Sequence, residues 1–322
     1  MASGLYRVVA DTPLDPVIDQ LLAGKVEILP WSVALEGSRE PVDGVYTYGH
    51  PLLNGEMLDR LPGVRVISNY GVGVDHIVLA DASARQIPVG NTPGILDGAT
   101  ADMGFCLLLA AARRLVEGDK YARSSDFTRY DPGFILGREV HSSTLGIIGL
   151  GRIGKQVARR ALAFEMTVLY HNRRRDEAAE HELGVHYAAF AELLAQSDYV
   201  MLCCPLSDQT RGLIGRQELA NMKPTAILVN IARGPVVDTT ALTEALQQKR
   251  IYAAALDVTD PEPLPRDHPL LELDNVIIAP HLGSATEQTR QKMAEISVEN
   301  LLLGLAGKPL LHEVAKLRPW QE

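Results

Sequence analysis

The sequence predicts an α/β protein with two doubly wound parallel-sheet domains, and three observations carry this prediction. Short apolar segments alternate with helical patterns along the chain, which is typical of parallel sheets. In the middle of the chain these segments are apolar throughout, as expected of strands covered on both faces. The 322 residues, 46% of them hydrophobic, are more than one hydrophobic core usually supports. Two domains of ordinary size are therefore expected.

The first hundred residues contain four predicted strands with a helical segment between the first two. The strands are expected at residues 6–10, 26–29, 44–47 and 64–68, and the helical segment at residues 17–22. Strands that alternate with helices usually pair side by side in the same direction. The N-terminal region is therefore predicted to form a parallel sheet.

The middle of the chain repeats this alternation more strongly. Its predicted strands are residues 144–148, 167–170, 199–203, 226–230, 253–258 and 275–279. Two long helical patterns, 99–115 and 287–305, flank this region. Because the second pattern lies near the C-terminus, the last residues are expected to return to the first domain. The predicted domains are residues 1–98 with 287–322, and an inserted domain of residues 99–286.

Composition and charge argue against several classes of protein. No apolar run approaches the roughly 18 residues that span a bilayer, and the first residues lack the pattern of a signal peptide. Three cysteines, Cys106, Cys203 and Cys204, are too few for a disulfide framework, so we expect a reducing compartment and a cytoplasmic protein. A formal charge of −9 disfavours nucleic acid or an anionic membrane as the partner, whereas an anionic small molecule could still bind a local basic pocket.

A glycine-rich turn, residues 149–154, joins a predicted strand to an amphipathic helix and reads GLGRIG. In a Rossmann dinucleotide-binding domain, Gly149 would make the tight turn, Gly151 would let the pyrophosphate approach the backbone, and Gly154 would allow close helix packing. The helix N-terminus would offer free N–H groups to the phosphate. The alternative is a structural glycine turn, but the flanking strand and helix favour a cofactor site. A P-loop is rejected because Gln156 lacks the hydroxyl that would bind magnesium.

The next strand ends in the basic segment 170–175, which reads YHNRRR. An NAD-binding domain usually has an Asp or Glu here that binds the ribose hydroxyls. Asn172, Arg173 and Arg174 could instead receive a 2′-phosphate, so NADP(H) is expected, with NAD(H) as the weaker alternative. The alternative to a cofactor site is a solvated charge run. Three acids would neutralise it: Asp176, Glu177 and Glu180.

Three side chains with catalytic chemistry follow three successive predicted strands. Arg233 stands in the segment NIARG, Glu262 between two prolines, and His281 in the segment PHLGS. Because the carboxyl ends of parallel strands meet at one edge of the sheet, the three side chains are expected to converge. An Arg suits a two-pronged grip on a carboxylate, although a lone Arg at a strand end is more often a surface ion-pair partner.

With these motifs the chain resembles the D-isomer-specific 2-hydroxyacid dehydrogenases over nearly its whole length. The motifs that carry the resemblance are GLGRIG at 149–154, NIARG at 230–234, DVTDPEP at 257–263 and PHLGS at 280–284. The segments DVTDPEPLP at 257–265 and NRR at 172–174 make it most similar to the glyoxylate/hydroxypyruvate reductases. The resemblance implies a Rossmann cofactor domain inserted in a flavodoxin-like substrate domain, and a homodimer formed through residues 99–140.

The resemblance also implies a reaction. His281 would protonate the substrate oxygen, Glu262 would hold the other imidazole nitrogen, and Arg233 would bind the 2-oxo acid and stabilise the developing oxyanion. The expected reaction is the NADPH-dependent reduction of glyoxylate or hydroxypyruvate. A reductase of a larger acid such as 2-ketogluconate would use the same residues. A dinucleotide-sensing corepressor is the alternative outside the enzymes, but such a protein would be expected to favour NAD(H) and to carry Asp at residue 172.

The resemblance assigns further residues to the two ligands. The expected substrate-binding residues are Val72, Gly73, Arg233, His281 and Ser284. The expected cofactor-binding residues are Thr100, Gly149, Gly151, Arg152, Ile153, Gly154, Asn172, Arg173, Arg174, Cys204, Pro205, Ile231, Asp257 and Gly283. An ordinary glycine turn could explain Gly73, and a helix N-cap could explain Thr100. No metal site is expected, because the remaining histidines lack ligand spacing. Residues 126–134 contain none of the tryptophans that many relatives have there, which leaves substrate size open.

Overall fold

The computed structural model describes residues 4–11 and 13–314. Residues 1–3, 12 and 315–322, which belong to the predicted first domain, lie outside the described residues. Within the described part, one compact unit falls in Met1–Leu96 and Thr286–Glu322, and the other in Asp97–Ala285. Each unit contains one parallel sheet with helices between its strands, which confirms the predicted α/β class.

The first unit contains a five-stranded sheet in which all pairs are parallel. The strands are β1 (Tyr6–Ala10), β2 (Val26–Pro30), β3 (Gly44–Thr47), β4 (Ile67–Asn69) and β5 (Val89–Gly90). The helices between them are α1 (Pro16–Leu22), α2 (Ser32–Glu36), α3 (Gly55–Asp59) and α4 (Leu79–Ala84). The strand order is β2-β1-β3-β4-β5. The central β3 and β4 are buried along their whole length, as expected of strands covered on both faces.

The second unit contains a seven-stranded parallel sheet. It begins with α5 (Asp97–Ala112) and α6 (Leu115–Ala122). The remaining elements are β6 (Thr144–Ile148), α7 (Arg152–Ala163), β7 (Thr167–His171), α8 (Glu177–Leu183), β8 (His186–Tyr187), α9 (Phe190–Gln196), β9 (Tyr199–Leu202), α10 (Arg216–Asn221), β10 (Ile227–Asn230), α11 (Thr239–Gln247), β11 (Ala253–Leu256) and β12 (Val276–Ile278). The order β12-β11-β10-β9-β6-β7-β8 changes direction between β6 and β9. Open parallel sheets bind ligands at the carboxyl edge near such a reversal.

The helix expected at residues 99–115 is α5 in the structure, and it ends three residues earlier than expected. It begins at Asp97 and ends at Ala112, and the backbone of Arg114 is left-handed, with φ of 51°, before α6 begins at Leu115. A left-handed residue cannot continue a right-handed helix. The predicted helix therefore runs three residues past the end of α5, because the apolar pattern does not reveal the conformation of a single residue.

The last helix, α12 (Glu287–Leu305), packs against the sheet of the first unit. The Ser297 hydroxyl lies 2.7 Å from the Tyr46 hydroxyl, and the Ser297 carbonyl accepts a 2.6 Å hydrogen bond from Ser68. A Cβ at Gly304 would overlap the side chain of Val66, so glycine permits the close approach of helix and sheet. No helix among the described residues is long and apolar enough to cross a membrane.

Candidate active site

Three neighbouring strands of the second unit carry the predicted catalytic side chains at their carboxyl ends. Arg233 follows β10, Glu262 lies in the loop after β11, and His281 follows β12. β11 pairs with both β10 and β12, so the three loops leave the same edge of the sheet side by side. All three side chains lie at the partly exposed surface of this edge.

Glu262 and His281 form a direct pair. The Nδ1 atom of His281 lies 2.9 Å from Oε1 of Glu262, and each side chain is about one-third exposed, at 33% and 36%. An ionised carboxylate only accepts hydrogen bonds, so Nδ1 carries the proton in this pair. The carboxylate thereby fixes the imidazole tautomer and leaves proton transfer to Nε2. This arrangement suits a general acid or base.

The backbone of His281 is held by the buried residue Asp257. His281 has a left-handed backbone with φ of 56°, which is uncommon for a residue other than glycine. Its N–H donates to the Asp257 carbonyl at 2.9 Å, and the N–H groups of Leu282 and Gly283 donate to the Asp257 carboxylate at 2.7 and 2.8 Å. Burial raises the pKa of Asp257, while these two N–H groups act in the opposite direction. Asp257 therefore orders the turn that presents His281.

Arg233 is fixed to its own loop. Its Nη1 donates to the Ala232 carbonyl at 2.9 Å, and its carbonyl accepts a 2.9 Å hydrogen bond from Asn230. The next residue, Gly234, lies so close to Thr259 that a Cβ would overlap the Thr259 carbonyl. The loops after β10 and β11 are thus packed directly on each other. A half-buried guanidinium held in this way is suited to a bidentate grip on a carboxylate.

The glycine turn lies between β6 and α7, as the sequence predicts. Gly149 has φ of +99°, and a Cβ there would lie 2.7 Å from Cys204 Cα. A Cβ at Gly154 would overlap the Gly149 carbonyl, whereas the space beside Gly151 is open within 4 Å. Only Gly151 therefore faces room for a ligand, while Gly149 and Gly154 shape the turn.

The start of α7 fits a diphosphate group. The N-cap is Gly151, no side chain caps the first turn, and that turn contains no acidic residue. The N-terminal N–H groups of a 12-residue helix then remain available to an anion. Arg152 and Ile153 are the first two helical residues, at the end with the positive dipole. A helix end of this kind fits the diphosphate of a dinucleotide.

The basic segment after β7 contains side chains that form ion pairs and one, Arg174, that forms none among the described residues. Arg175 forms a two-pronged ion pair with Glu180, with both N–O distances at 2.7 Å. Lys155 pairs with Asp176 at 2.8 Å. Arg174 is exposed and makes no hydrogen bond or ion pair among the described residues. Asp176 and Glu180 are thus already paired, and the neutralisation that the alternative requires holds for Arg175 but not for Arg174 among the described residues.

Two neighbours of Arg174 are fixed by residues distant in sequence. Asn172 accepts a 2.7 Å hydrogen bond from the N–H of Leu150, so its side chain braces the glycine turn. Arg173 donates to Gln209 Oε1 at 2.9 Å, in the loop after β9. Gln209 was not predicted as a partner of Arg173, because the two residues are 36 positions apart and no local pattern indicates the contact.

The other expected cofactor residues of this unit lie around the same edge of the sheet. Cys204 and Pro205 follow β9, and the Cys204 backbone packs on the glycine turn. Ile231 follows β10 and packs against α5. Thr100 is buried in the first turns of α5, where a Cβ built on Gly283 would lie 3.3 Å from its methyl group. Ser284 follows Gly283 in the His281 turn.

Val72 and Gly73 belong to the loop after β4 in the first unit. Asn69 donates to the carbonyls of Gly71 and Gly73, and Asn91 donates to the carbonyl of Val72, each at 2.9 Å. In a trans peptide the N–H points opposite to the carbonyl. The N–H groups of Val72 and Gly73 therefore point away from these two asparagines, as an amide-based anion site requires.

Two observations complete the inventory of the site. Asp97, which the sequence analysis missed, is a buried acid at the start of α5, with its Oδ2 3.6 Å from Arg152 Nε. The sequence shows that Asp97 lies just before a predicted helix, but it does not show that the side chain is buried. Among the described residues, no group of three His, Cys, Asp or Glu side chains is placed to hold a metal ion.

Comparison with known proteins gives consistent matches. Residues 105–283 match the family model of the D-isomer specific 2-hydroxyacid dehydrogenase NAD binding domain. The chain is 47% identical to a glyoxylate reductase of Korarchaeum cryptofilum over 272 residues, 83% of this chain and 82% of the relative. It is 43% identical to the glyoxylate reductase of Pyrococcus furiosus over 313 residues, 92% and 93% of the two chains.

A solved structure covers nearly the whole chain. The NADPH-dependent glyoxylate/hydroxypyruvate reductase of Sinorhizobium meliloti, in complex with NADP and malonate, is 30% identical, with a TM-score of 0.88 and coverage of 97% of each chain. The TT0316 protein of Thermus thermophilus is 43% identical, with a TM-score of 0.87, 96% coverage of this chain and 100% of that one.

Proposed function

The chain belongs to the D-isomer specific 2-hydroxyacid dehydrogenases, and from this membership we propose that it reduces glyoxylate and hydroxypyruvate with NADPH, with His281 as the general acid. That it is a 2-oxo acid reductase with a nicotinamide dinucleotide cofactor follows from the family model and the glyoxylate reductase relatives. The observation that carries the proposed reaction is the Glu262–His281 pair, which lies at the sheet edge that also holds Arg233.

Each side chain has a separate role in the proposed reaction. The bound dinucleotide supplies the hydride that reduces the carbonyl carbon. His281 donates the proton on Nε2 to the substrate oxygen, and Glu262 holds Nδ1 and orients the imidazole. Arg233 binds the substrate carboxylate and stabilises negative charge on the oxygen before protonation. In the other unit, the N–H groups of Val72 and Gly73 are the second proposed carboxylate ligand.

A substrate panel tests the activity. Glyoxylate and hydroxypyruvate are expected to give higher kcat/KM than 2-ketogluconate, measured through NADPH absorbance. The relatives named as glyoxylate reductases support this order. A higher kcat/KM for 2-ketogluconate would replace the proposed substrates with larger 2-oxo acids. Tight dinucleotide binding without turnover of any 2-oxo acid would favour a sensing protein instead.

NADPH preference is expected to depend on Arg174. Changing Arg174 to alanine should lower kcat/KM for NADPH by roughly 10- to 100-fold, because hydrogen bonds to charged groups contribute about 1.5–3 kcal/mol. kcat/KM for NADH should change little, because NADH lacks the 2′-phosphate. Arg175→Ala is the matched control, since Arg175 is already paired with Glu180. Equal loss with both cofactors, or a wild-type preference for NADH, would contradict the assignment.

Alanine substitutions at two glycines of the turn are expected to have different effects, one on stability and one on NADPH binding. Gly154→Ala should lower the free energy of unfolding by about 1–3 kcal/mol, because the new methyl group overlaps the Gly149 carbonyl. Gly151→Ala should leave stability nearly unchanged, because that space is open, but should weaken NADPH binding by about tenfold or more, since the methyl group takes the room of a phosphate. Chemical denaturation and fluorescence titration measure the two effects. Normal NADPH binding by Gly151→Ala would place the diphosphate elsewhere.

A homodimer is proposed through residues 99–140. This part of the chain exposes large apolar side chains, with Leu115 62%, Tyr130 82% and Leu136 67% exposed. Several large apolar side chains exposed within one short part of the chain fit an interface with a second copy. Light scattering should therefore give twice the 35.0 kDa chain mass, and Leu136→Asp should shift the mass toward that of one chain. A single-chain mass at assay concentration would remove the proposal.

The cysteines support a reducing, cytoplasmic location. Cys106, Cys203 and Cys204 are all free thiols. Burial raises the pKa of Cys203 and raises that of Cys204 to about 11, so both are un-ionised and unreactive at neutral pH. A protein with this cysteine usage needs no oxidising compartment.

A further inference from the structure

A buried carboxylate lies next to the first residue of the helix that follows the glycine turn. The Asp97 side chain is only 12% exposed, and its Oδ2 lies 3.6 Å from Nε of Arg152. Within the described part of the chain it accepts no hydrogen bond. Partial burial of a carboxylate that accepts no hydrogen bond from the protein costs free energy. Asp97 is also the acidic residue in the first turn of α5, where a negative charge stabilises the helix dipole.

Arg152 has two competing negative partners. Its side chain is 62% exposed and stands at the positive end of α7. In the proposed function it faces the dinucleotide diphosphate. Burial raises the pKa of Asp97, and the nearby Arg152 guanidinium acts in the opposite direction. A guanidinium that neutralises Asp97 has less positive charge to offer a phosphate.

We propose that Asp97 weakens the binding of the dinucleotide and thereby speeds its release. It does so by sharing Arg152 with the diphosphate and by placing a negative charge near the glycine turn. Charges a few ångströms apart in a partly buried site interact strongly. Release of a product often limits turnover in enzymes, so a carboxylate that loosens the spent cofactor raises the rate of the cycle. This inference rests on the proposed function, because it needs the diphosphate at residues 149–154.

The variant Asp97→Asn tests the proposal, because it removes the charge and keeps the shape. The dissociation constants of NADPH and NADP⁺ should fall by about 3- to 10-fold, measured by fluorescence titration of the full chain without substrate. The dissociation rate constant, measured by stopped-flow displacement, should fall by a similar factor. Tighter binding is a gain of function, which a damaged fold would not produce.

Asp102→Asn is the matched control. Asp102 lies on the same helix, but it is 70% exposed and pairs with Arg160 at 2.6 Å rather than with Arg152. Its replacement should leave both dissociation constants unchanged. An equal tightening in this control would attribute the effect to overall charge and overturn the role of Asp97.

A double-mutant cycle with Arg152→Gln shows whether the two side chains act together. Arg152→Gln alone should weaken NADPH binding, and adding Asp97→Asn should then tighten it less than in the wild type. Unchanged or weaker binding by Asp97→Asn alone overturns the inference; weaker binding would mean that Asp97 holds Arg152 in place for the phosphate. If the wild type binds no dinucleotide, the proposed function fails, and this inference fails with it.

Discussion

Replacing His281 with alanine is expected to lower kcat for 2-oxo acid reduction by about 10²- to 10⁴-fold, the contribution of a positioned general acid. The Nδ1 atom of His281 is held by Glu262 at 2.9 Å, so the imidazole presents Nε2 to the substrate oxygen. Alanine removes the proton donor and leaves the glycine turn intact. The dissociation constant of NADPH should therefore remain nearly unchanged. Steady-state kinetics and fluorescence titration measure the two quantities.

One further variant bears on the same assignment. Glu262→Gln should lower kcat by less than His281→Ala, because the imidazole remains but loses the carboxylate that orients it. Undiminished activity in His281→Ala would contradict the assignment of His281 as the general acid.

The sequence predicted the fold and the meeting of three loops at one sheet edge because both depend on local patterns. Apolar runs mark the buried strands, and Arg233, Glu262 and His281 follow three successive runs. In a parallel sheet, residues after successive strands meet at one edge, and the pairing of β11 with β10 and β12 brings these loops together. Strand ends and topology were therefore sufficient for this part of the site.

The pairing of side chains could not be predicted in the same way. Arg173 is bound by Gln209, and Asn172 braces Leu150, which are contacts between residues 36 and 22 positions apart. The charge pattern showed three arginines and three acids, but not that Glu180 is paired with Arg175 while Arg174 has no ion pair or hydrogen bond among the described residues. Such choices depend on distances in the folded chain, which a sequence pattern does not contain.

Asp257 shows how geometry changes the meaning of a predicted residue. The resemblance assigns it to the cofactor, and both of its carboxylate oxygens accept backbone N–H groups of the His281 turn in the structure. The left-handed backbone of His281 needs such support, because that conformation is unfavourable for a residue with a Cβ. The contacts of Asp257 thus favour a residue that positions His281, the proposed general acid.

Replacing Arg233 with lysine is expected to lower kcat/KM for glyoxylate by about 10²- to 10³-fold, the range found when an oxyanion donor is removed. Lysine keeps the charge but loses the planar fork that binds two carboxylate oxygens at once. The loop itself should survive, because Asn230 donates to the backbone carbonyl of residue 233 and not to its side chain. NADPH binding should stay unchanged in a fluorescence titration, since the residue acts on the substrate.

A neutral substrate separates the grip on the carboxylate from other roles of Arg233. The wild type should strongly prefer glyoxylate to an aldehyde of similar size without a carboxylate, and Arg233→Lys should lose most of this discrimination. Arg216→Lys is the matched control, because Arg216 is exposed and pairs with Glu244 on the following helix. If Arg233→Lys slowed both substrates equally, the guanidinium would act on the carbonyl oxygen alone. The carboxylate would then have to be bound by other groups, of which the N–H groups of Val72 and Gly73 are the proposed ones.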